Sequence, residues 1–251
     1  MRTLLVSFAA LAACSGSEMQ GDDGTTPPPP DDEEANILQD YDDVAASIGA
    51  NVQSGELAAM VDSVGMAYGR LPADFIENPP GVLIGTRNGL QLKYKFYCRD
   101  AAEAPLPCNG FEDHEHVHVS WTGTISSATA AVDGLTRDGN WIVRDVVTPT
   151  PRAGGHGTTA FNASMATGTY AFSFSDEFAS VRFDALAPAL PTAGTMDLML
   201  TIHRTRDVVG DRDFTATAHV EFVGPDAATI SLDGVHTYDL TLSTGAVVRV
   251  N

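Results

Sequence analysis

The sequence predicts a mainly β protein: an antiparallel meander curled into a barrel or half-barrel, with a β-sandwich as the alternative, preceded by one or two N-terminal helices. Three observations carry this expectation. From Gly81 onward apolar and polar residues alternate, which marks antiparallel strands with a single buried face. No helix-length segment interrupts residues 82–251, and short turn signals separate ten to twelve strands. Ahead of them, residues 36–68 place apolar side chains three and four apart, which is the helical period.

Within the helical part, Ile37, Tyr41, Val44, Ile48 and Val52 form one stripe, and Leu57, Met60, Val61, Val64 and Tyr68 form another after Ser54-Gly55. Two helices, or one broken at Ser54-Gly55, fit this spacing equally. Gly69-Arg70-Leu71-Pro72 then stops the helix, because proline cannot continue it. In the β part, Asn88-Gly89 suits the positive φ angles of a tight hairpin between residues 82–86 and 90–97. Asp138-Gly139 and Thr244-Gly245 are read as two further turns. Tyr170, Phe172 and Phe174 oppose Ala171, Ser173 and Ser175, and Val181 and Phe183 oppose Arg182 and Asp184. The same alternation sets Met196, Leu198, Leu200 and Ile202, then Phe214, Ala216, Ala218, Val220 and Phe222, on one face. The helices must bury their stripe as well, and the open apolar face of the sheet is the place for it.

The N-terminus reads MRTLLVSFAALAAC, a cationic Arg2 followed by a short apolar run and a cysteine. A membrane-spanning helix needs about 20 apolar residues, so this run is read as a signal peptide over residues 1–13. Leu11-Ala12-Ala13-Cys14 resembles the lipobox of bacterial lipoproteins. That resemblance covers about the first 14 residues and implies that Cys14 carries lipid, holding the protein on a membrane surface. Ser15 lacks the aspartate that retains some lipoproteins at the inner membrane, which points to the outer membrane of the cell envelope. Residues 14–35, with Pro27 to Pro30 and many acids, are expected to form a disordered tether. Residues 36–251 then form a single domain, with helices over 36–69 and the β-body over 81–251.

Charge excludes some partners. The formal net charge is −19, from 33 acidic and 14 basic residues, and only two of the basic ones are lysines, Lys93 and Lys95. Counterion release on nucleic acid requires clustered cations, so no nucleic-acid partner is expected. Attraction to anionic lipid is excluded for the same reason, leaving the acyl chains as the membrane contact. Ten acids and no bases lie between Glu18 and Asp43, a run read as solvated. A monomer is expected, with a protein or hydrophobic ligand of unspecified identity.

With Cys14 assigned to lipid, Cys98 and Cys108 remain. In an exported chain they are expected to form a disulfide, since CxxC spacing of a redox or metal pair is absent. No phosphate loop, dinucleotide fingerprint or Gly-x-Ser-x-Gly elbow occurs, so no catalytic residue is assigned. Arg152 to Gly157, RAGGHG, is read as a mobile connection, and Asp207, Asp211 and Asp213 as a solvated hairpin tip rather than a calcium site. Asn162-Ala163-Ser164 matches a glycosylation acceptor that a bacterial lipoprotein would not use.

The remaining chemistry lies in FEDHEHVHVSWTG, residues 111–123, which places His114, His116 and His118 at alternate positions. On a strand the outer two lie about 13 Å apart, too far for one zinc with bonds of about 2.0–2.1 Å. Two neighbours can share zinc, in a pattern that resembles the start of the zinc site in α-class carbonic anhydrases. A third ligand must then come from an adjacent strand, with His203, His219 and His236 as candidates. Val117, Val119 and Trp121 alternate with the histidines and look buried, which sends His114, His116, His118 and Ser120 outward. On this reading the histidines are simply exposed. The leading functional expectation is a non-enzymatic binding or structural domain; the alternative is a zinc-dependent enzyme using two of the three histidines.

Overall fold

The computed structural model describes residues 31–250 except 110–112, 127–129, 185–189 and 208. The signal, Cys14 and most of the expected tether lie outside the described residues. The chain opens with α1 (Asp31–Asn51), passes through a π-helical stretch at Val52–Glu56, and continues as α2 (Leu57–Ala67). The helix therefore begins within the segment read as tether and is not interrupted at Ser54-Gly55. It widens there instead. Gly55 lets the helix approach Trp121, whose indole atoms would lie 3.1 Å from an added Cβ. At the far end the chain leaves the helix through Gly69 at φ 70°. Its N–H donates to the Met66 carbonyl (2.8 Å) and that of Arg70 to Gly65 (2.9 Å), the paired bonds of a Schellman stop.

Thirteen strands follow: β1 (Ile76–Glu77), β2 (Val82–Arg87), β3 (Leu90–Arg99), β4 (Pro105–Leu106), β5 (His114–Ser126), β6 (Ala131–Arg144), β7 (Arg152–Met165), β8 (Gly168–Arg182), β9 (Ala193–Thr205), β10 (Arg212–Gly224), β11 (Ala227–Leu232), β12 (His236–Thr241) and β13 (Ala246–Val250). They form one antiparallel meander in which each strand pairs with the next, except that β3 pairs with β5 and the short β4 rests on the end of β3. The sheet is open, with β1 and β13 as its edges. The Asn88-Gly89 hairpin forms as expected, with Arg87 opposite Leu90. Thr244-Gly245 also lies in a turn. Asp138-Gly139, however, sits inside β6, and RAGGHG inside β7; neither is a loop.

Those two departures share a cause. Gly139 and Gly157 face each other across β6 and β7, on the buried side. A Cβ on Gly157 would lie 2.1 Å from Arg137 Nη1, and one on Gly139 would lie 3.1 Å from Nη2. The glycines leave room for a guanidinium in the core, so they mark a close approach within a strand, which is the other reading of an internal glycine.

The alternating apolar residues all fall on the inner face. Trp121, Trp141, Tyr170, Phe174, Leu198, Ile202, Val220 and Tyr238 are buried together with Val44, Ile48, Met60 and Val64 of the helix. The helix thus covers the apolar side of the sheet. Asp42 pairs with Arg249 on β13, while Asp43 accepts a hydrogen bond from Tyr170 on β8. On a flat sheet the five strand steps from β8 to β13 would span about 24 Å, about twice the width of a helix. The sheet therefore curls around α1.

The helix also buries charge. Asp40 lies 2.8 Å from Arg204 and 3.0 Å from Arg206, and Asp43 lies 2.9 Å from Arg206. Asp62 pairs with Arg87 (2.7 Å) and accepts a hydrogen bond from Tyr94 (2.9 Å). The expected solvated run is thus wrong for Asp40 and Asp43, which are buried. Arginines scattered in sequence converge on the acids of one helix once the strands are side by side.

Candidate histidine and carboxylate site

β5 lies between β3 and β6, and its alternation aims Val117, Val119 and Trp121 inward. His114, His116 and His118 consequently share the outer side, as the sequence predicts. Their exposure differs from that expectation. His114 is only 6% exposed, and the side chain of His116 only 25%. The covering group is Glu103, from the loop between β3 and β4.

That loop is built to return. The Asp100 carboxylate accepts hydrogen bonds from the N–H groups of Ala102 and Ala104, both at 2.9 Å. The Glu103 N–H donates to the Asp100 carbonyl, also at 2.9 Å, and Glu103 takes φ 61°. The Cys98–Cys108 disulfide forms and joins the two ends of the segment. Glu103 Oε1 thereby comes 3.0 Å from His114 Nε2, and Oε2 3.8 Å from His116 Nε2. Arg99, opposite His114 in the sheet, donates to the Glu103 carbonyl. Tyr97 stacks on His116 with ring centres 4.9 Å apart, and the Arg99 guanidinium lies over the Tyr97 ring at 4.9 Å.

The electrostatics favour neutral imidazole at His116. Burial pushes its pKa below the usual histidine range, and His114, Arg99 and Arg144 add to this against the opposing pull of Glu103. Nε2 of His114 and of His116 are buried and find no aligned hydrogen-bond partner. Glu103 Oε1 is near His114 Nε2 yet out of line with it. Two imidazole nitrogens and one carboxylate oxygen here all lie within 4.8 Å of one another, a donor set suited to borderline divalent metals.

Other expected ligands are elsewhere. His118 hydrogen-bonds through Nδ1 to Asn140 Oδ1 (3.0 Å), and its Nε2 lies 3.4 Å from Asp138. His203 and His219 stand on β9 and β10, paired with Asp213 (2.7 Å) and Asp197 (2.6 Å). His236 lies against Tyr41 with the rings tilted by 39° and their centres 4.3 Å apart. β5 and β9 are four strand steps apart, about 19 Å, and the outer sides of a curled sheet diverge. None of these histidines joins His114 and His116; the group that lies beside both is Glu103. The sequence does not single out Glu103: the expected disulfide implies that its loop closes on itself, and the pairing of β3 with β5 brings that loop beside the histidines.

Asp207 and Asp211 are exposed and Asp213 is held by His203, so among the described residues these three do not converge on an ion site. Cys98, Cys108 and Glu115 also cluster, but on the inner side of β5, and the two sulfurs are bonded to each other.

Next to the histidine pair, the outer face carries an open groove of about 530 Å³. Cross-strand register builds it from two rows. Lys95, His118, Asn140 and His156 align across β3, β5, β6 and β7, beside Tyr97, His116, Ile142 and Gly154. The groove has no floor of large side chains where Gly154 and Gly155 line it. Comparison of the chain with protein-family models, with curated proteins and with solved structures finds no match in any of the three.

Proposed function

We propose that the protein is a bacterial cell-envelope lipoprotein, held at the outer membrane by lipid on Cys14, whose β-domain is a non-enzymatic binding or structural module. The observation that carries this reading is the sequence Leu11-Ala12-Ala13-Cys14 after a short apolar run. The curled sheet is read as a half-barrel whose lumen is filled by the chain's own helix. Because Val44, Ile48, Met60 and Val64 occupy the apolar inner face, a hydrophobic ligand would compete with the core. Recognition is therefore assigned to the wet outer face. Its groove supplies a cation at Lys95, an amide at Asn140 and imidazoles at His118 and His156, suited to a polar ligand.

The test is fractionation of the native full chain against Cys14→Ser. Wild type should enter the membrane fraction and carry the mass of added acyl chains, and the variant should lose both. Wild type recovered without lipid would overturn the anchoring. The alternative reading, a zinc-dependent enzyme, keeps His114 and His116 and loses His118 to its contacts with Asn140 and Asp138.

A further inference from the structure

We propose that Glu103, His114 and His116 form a binding site for one divalent transition ion of the zinc class. The inference goes beyond the lipoprotein reading and does not depend on it, since neither the lipid nor the groove enters the argument.

Zinc bonds of about 2.0–2.1 Å at tetrahedral angles place ligand atoms about 3.3–3.4 Å apart. The two measured separations, 3.0 Å from Glu103 to His114 and 3.8 Å from Glu103 to His116, lie on either side of that value. The two distances end on different oxygens of the one carboxylate, and one donor atom from each of the three residues lies within 4.8 Å of the others, so ion binding would draw the three together. The three donors come from two segments held by independent means: β5 by its pairing with β3 and β6, and the Glu103 loop by Asp100 and the disulfide.

The buried nitrogens point the same way. An ordinary histidine and glutamate pair would align N–H with a carboxylate oxygen, because a buried ring nitrogen left without a hydrogen bond is costly. His114 is more than nine-tenths buried, and its Nε2 is close to Glu103 but unaligned; His116 Nε2 is also without an aligned partner. A shared cation resolves both at once, since metal ligands point at the ion and not at each other. Tyr97 stacked on His116, and the cross-strand register of His114 with Arg99, hold the two rings in place. With three protein donors, a tetrahedral ion would keep a fourth position for a water or other ligand.

The experiment uses the purified full chain in detergent, stripped with chelator and titrated with zinc chloride, with cobalt chloride as the spectroscopic probe. Wild type should take up one equivalent and give the visible bands of four-coordinate cobalt. Glu103→Gln, His114→Ala and His116→Ala should each lose at least the roughly tenfold in affinity that loss of an outer-sphere partner already costs. His118→Ala should bind like wild type. Glu103→Gln is nearly isosteric at an exposed side chain, so it keeps the test valid if a histidine variant fails to fold. Nitrogen-15 spectra of the imidazoles give a second readout: zinc should move the Nε2 signals of His114 and His116 and leave His118 in place. Negligible zinc uptake by wild type, undiminished binding by Glu103→Gln, or equal loss in His118→Ala would overturn the site.

Discussion

Arg137 enters the core from β6 with Glu56 at 3.1 Å and both oxygens of Asp176 in reach, and its guanidinium lies over the Trp121 ring at 5.5 Å. Two carboxylates share one cation away from water, so full ionisation would leave a buried negative charge. Burial accordingly pushes Glu56 up to about 8 from its usual 4.5, with Asp176 adding to the effect and Arg137 opposing it. Asp176 and Asp62 are raised as well, again chiefly by burial. In that window the folded chain keeps a proton on Glu56 that the unfolded chain releases, so stability is greatest below the lower value and declines as pH rises to the upper one. The melting temperature should thus be higher at about pH 5.5 than at about pH 8, by roughly 2–4 °C for each kcal/mol involved. Glu56→Gln, neutral throughout, should flatten this dependence and melt higher than wild type at the alkaline end. Thermal melts across pH check this, and an unchanged slope in Glu56→Gln would refute it. None of this chemistry was legible in the sequence, because Glu56, Arg137 and Asp176 are far apart in the chain and meet only through register.

The strand period was legible because side-chain alternation is local: every residue set expected to be buried on β8, β9 and β10 lies on the inner face, with Phe214 only partly covered. Glycine was less informative, since the same residue serves a turn at Gly89 (φ 83°) and a close approach at Gly157. Local sequence cannot distinguish the two without knowing that Arg137 lies opposite. The Cys98–Cys108 loop lies between these cases. Its closure was legible from the cysteine spacing and the expectation of export, but the placement of Glu103 over His114 depends on β3 pairing with β5 rather than with β4 along its length. Opening the loop tests how far the element stands on its disulfide. Cys98→Ser/Cys108→Ser should lose about 3 kcal/mol in denaturant unfolding, the chain-entropy value for a ring of this size. Loss well below that figure would mean that Asp100 and the β4 pairing hold the loop unaided.

At the scale of the molecule, helix and sheet form one hydrophobic core and not a body with a cover. Gly49 shows how close they come: a Cβ there would lie 2.5 Å from the Gly245 carbonyl oxygen and 2.7 Å from Val247. Toward the other end, Ser63 accepts a hydrogen bond from the Trp141 indole (2.9 Å), and the Tyr68 hydroxyl donates to the Val146 carbonyl (2.5 Å). Contacts therefore run the length of the helix and reach strands from β2 to β13. A lid would behave otherwise, opening at low cost and exposing the apolar face to a ligand. The two arrangements differ in native-state hydrogen exchange. Amides from Val44 to Ala67 should exchange only by global unfolding, with the same opening free energy as the central strands β5 to β10. The two-residue strands β1 and β4, exposed on both sides, should exchange through local opening. If instead the helix amides open at distinctly lower free energy than β5 to β10, the inner face becomes available to an apolar ligand, and the proposal that recognition uses the outer groove would fail.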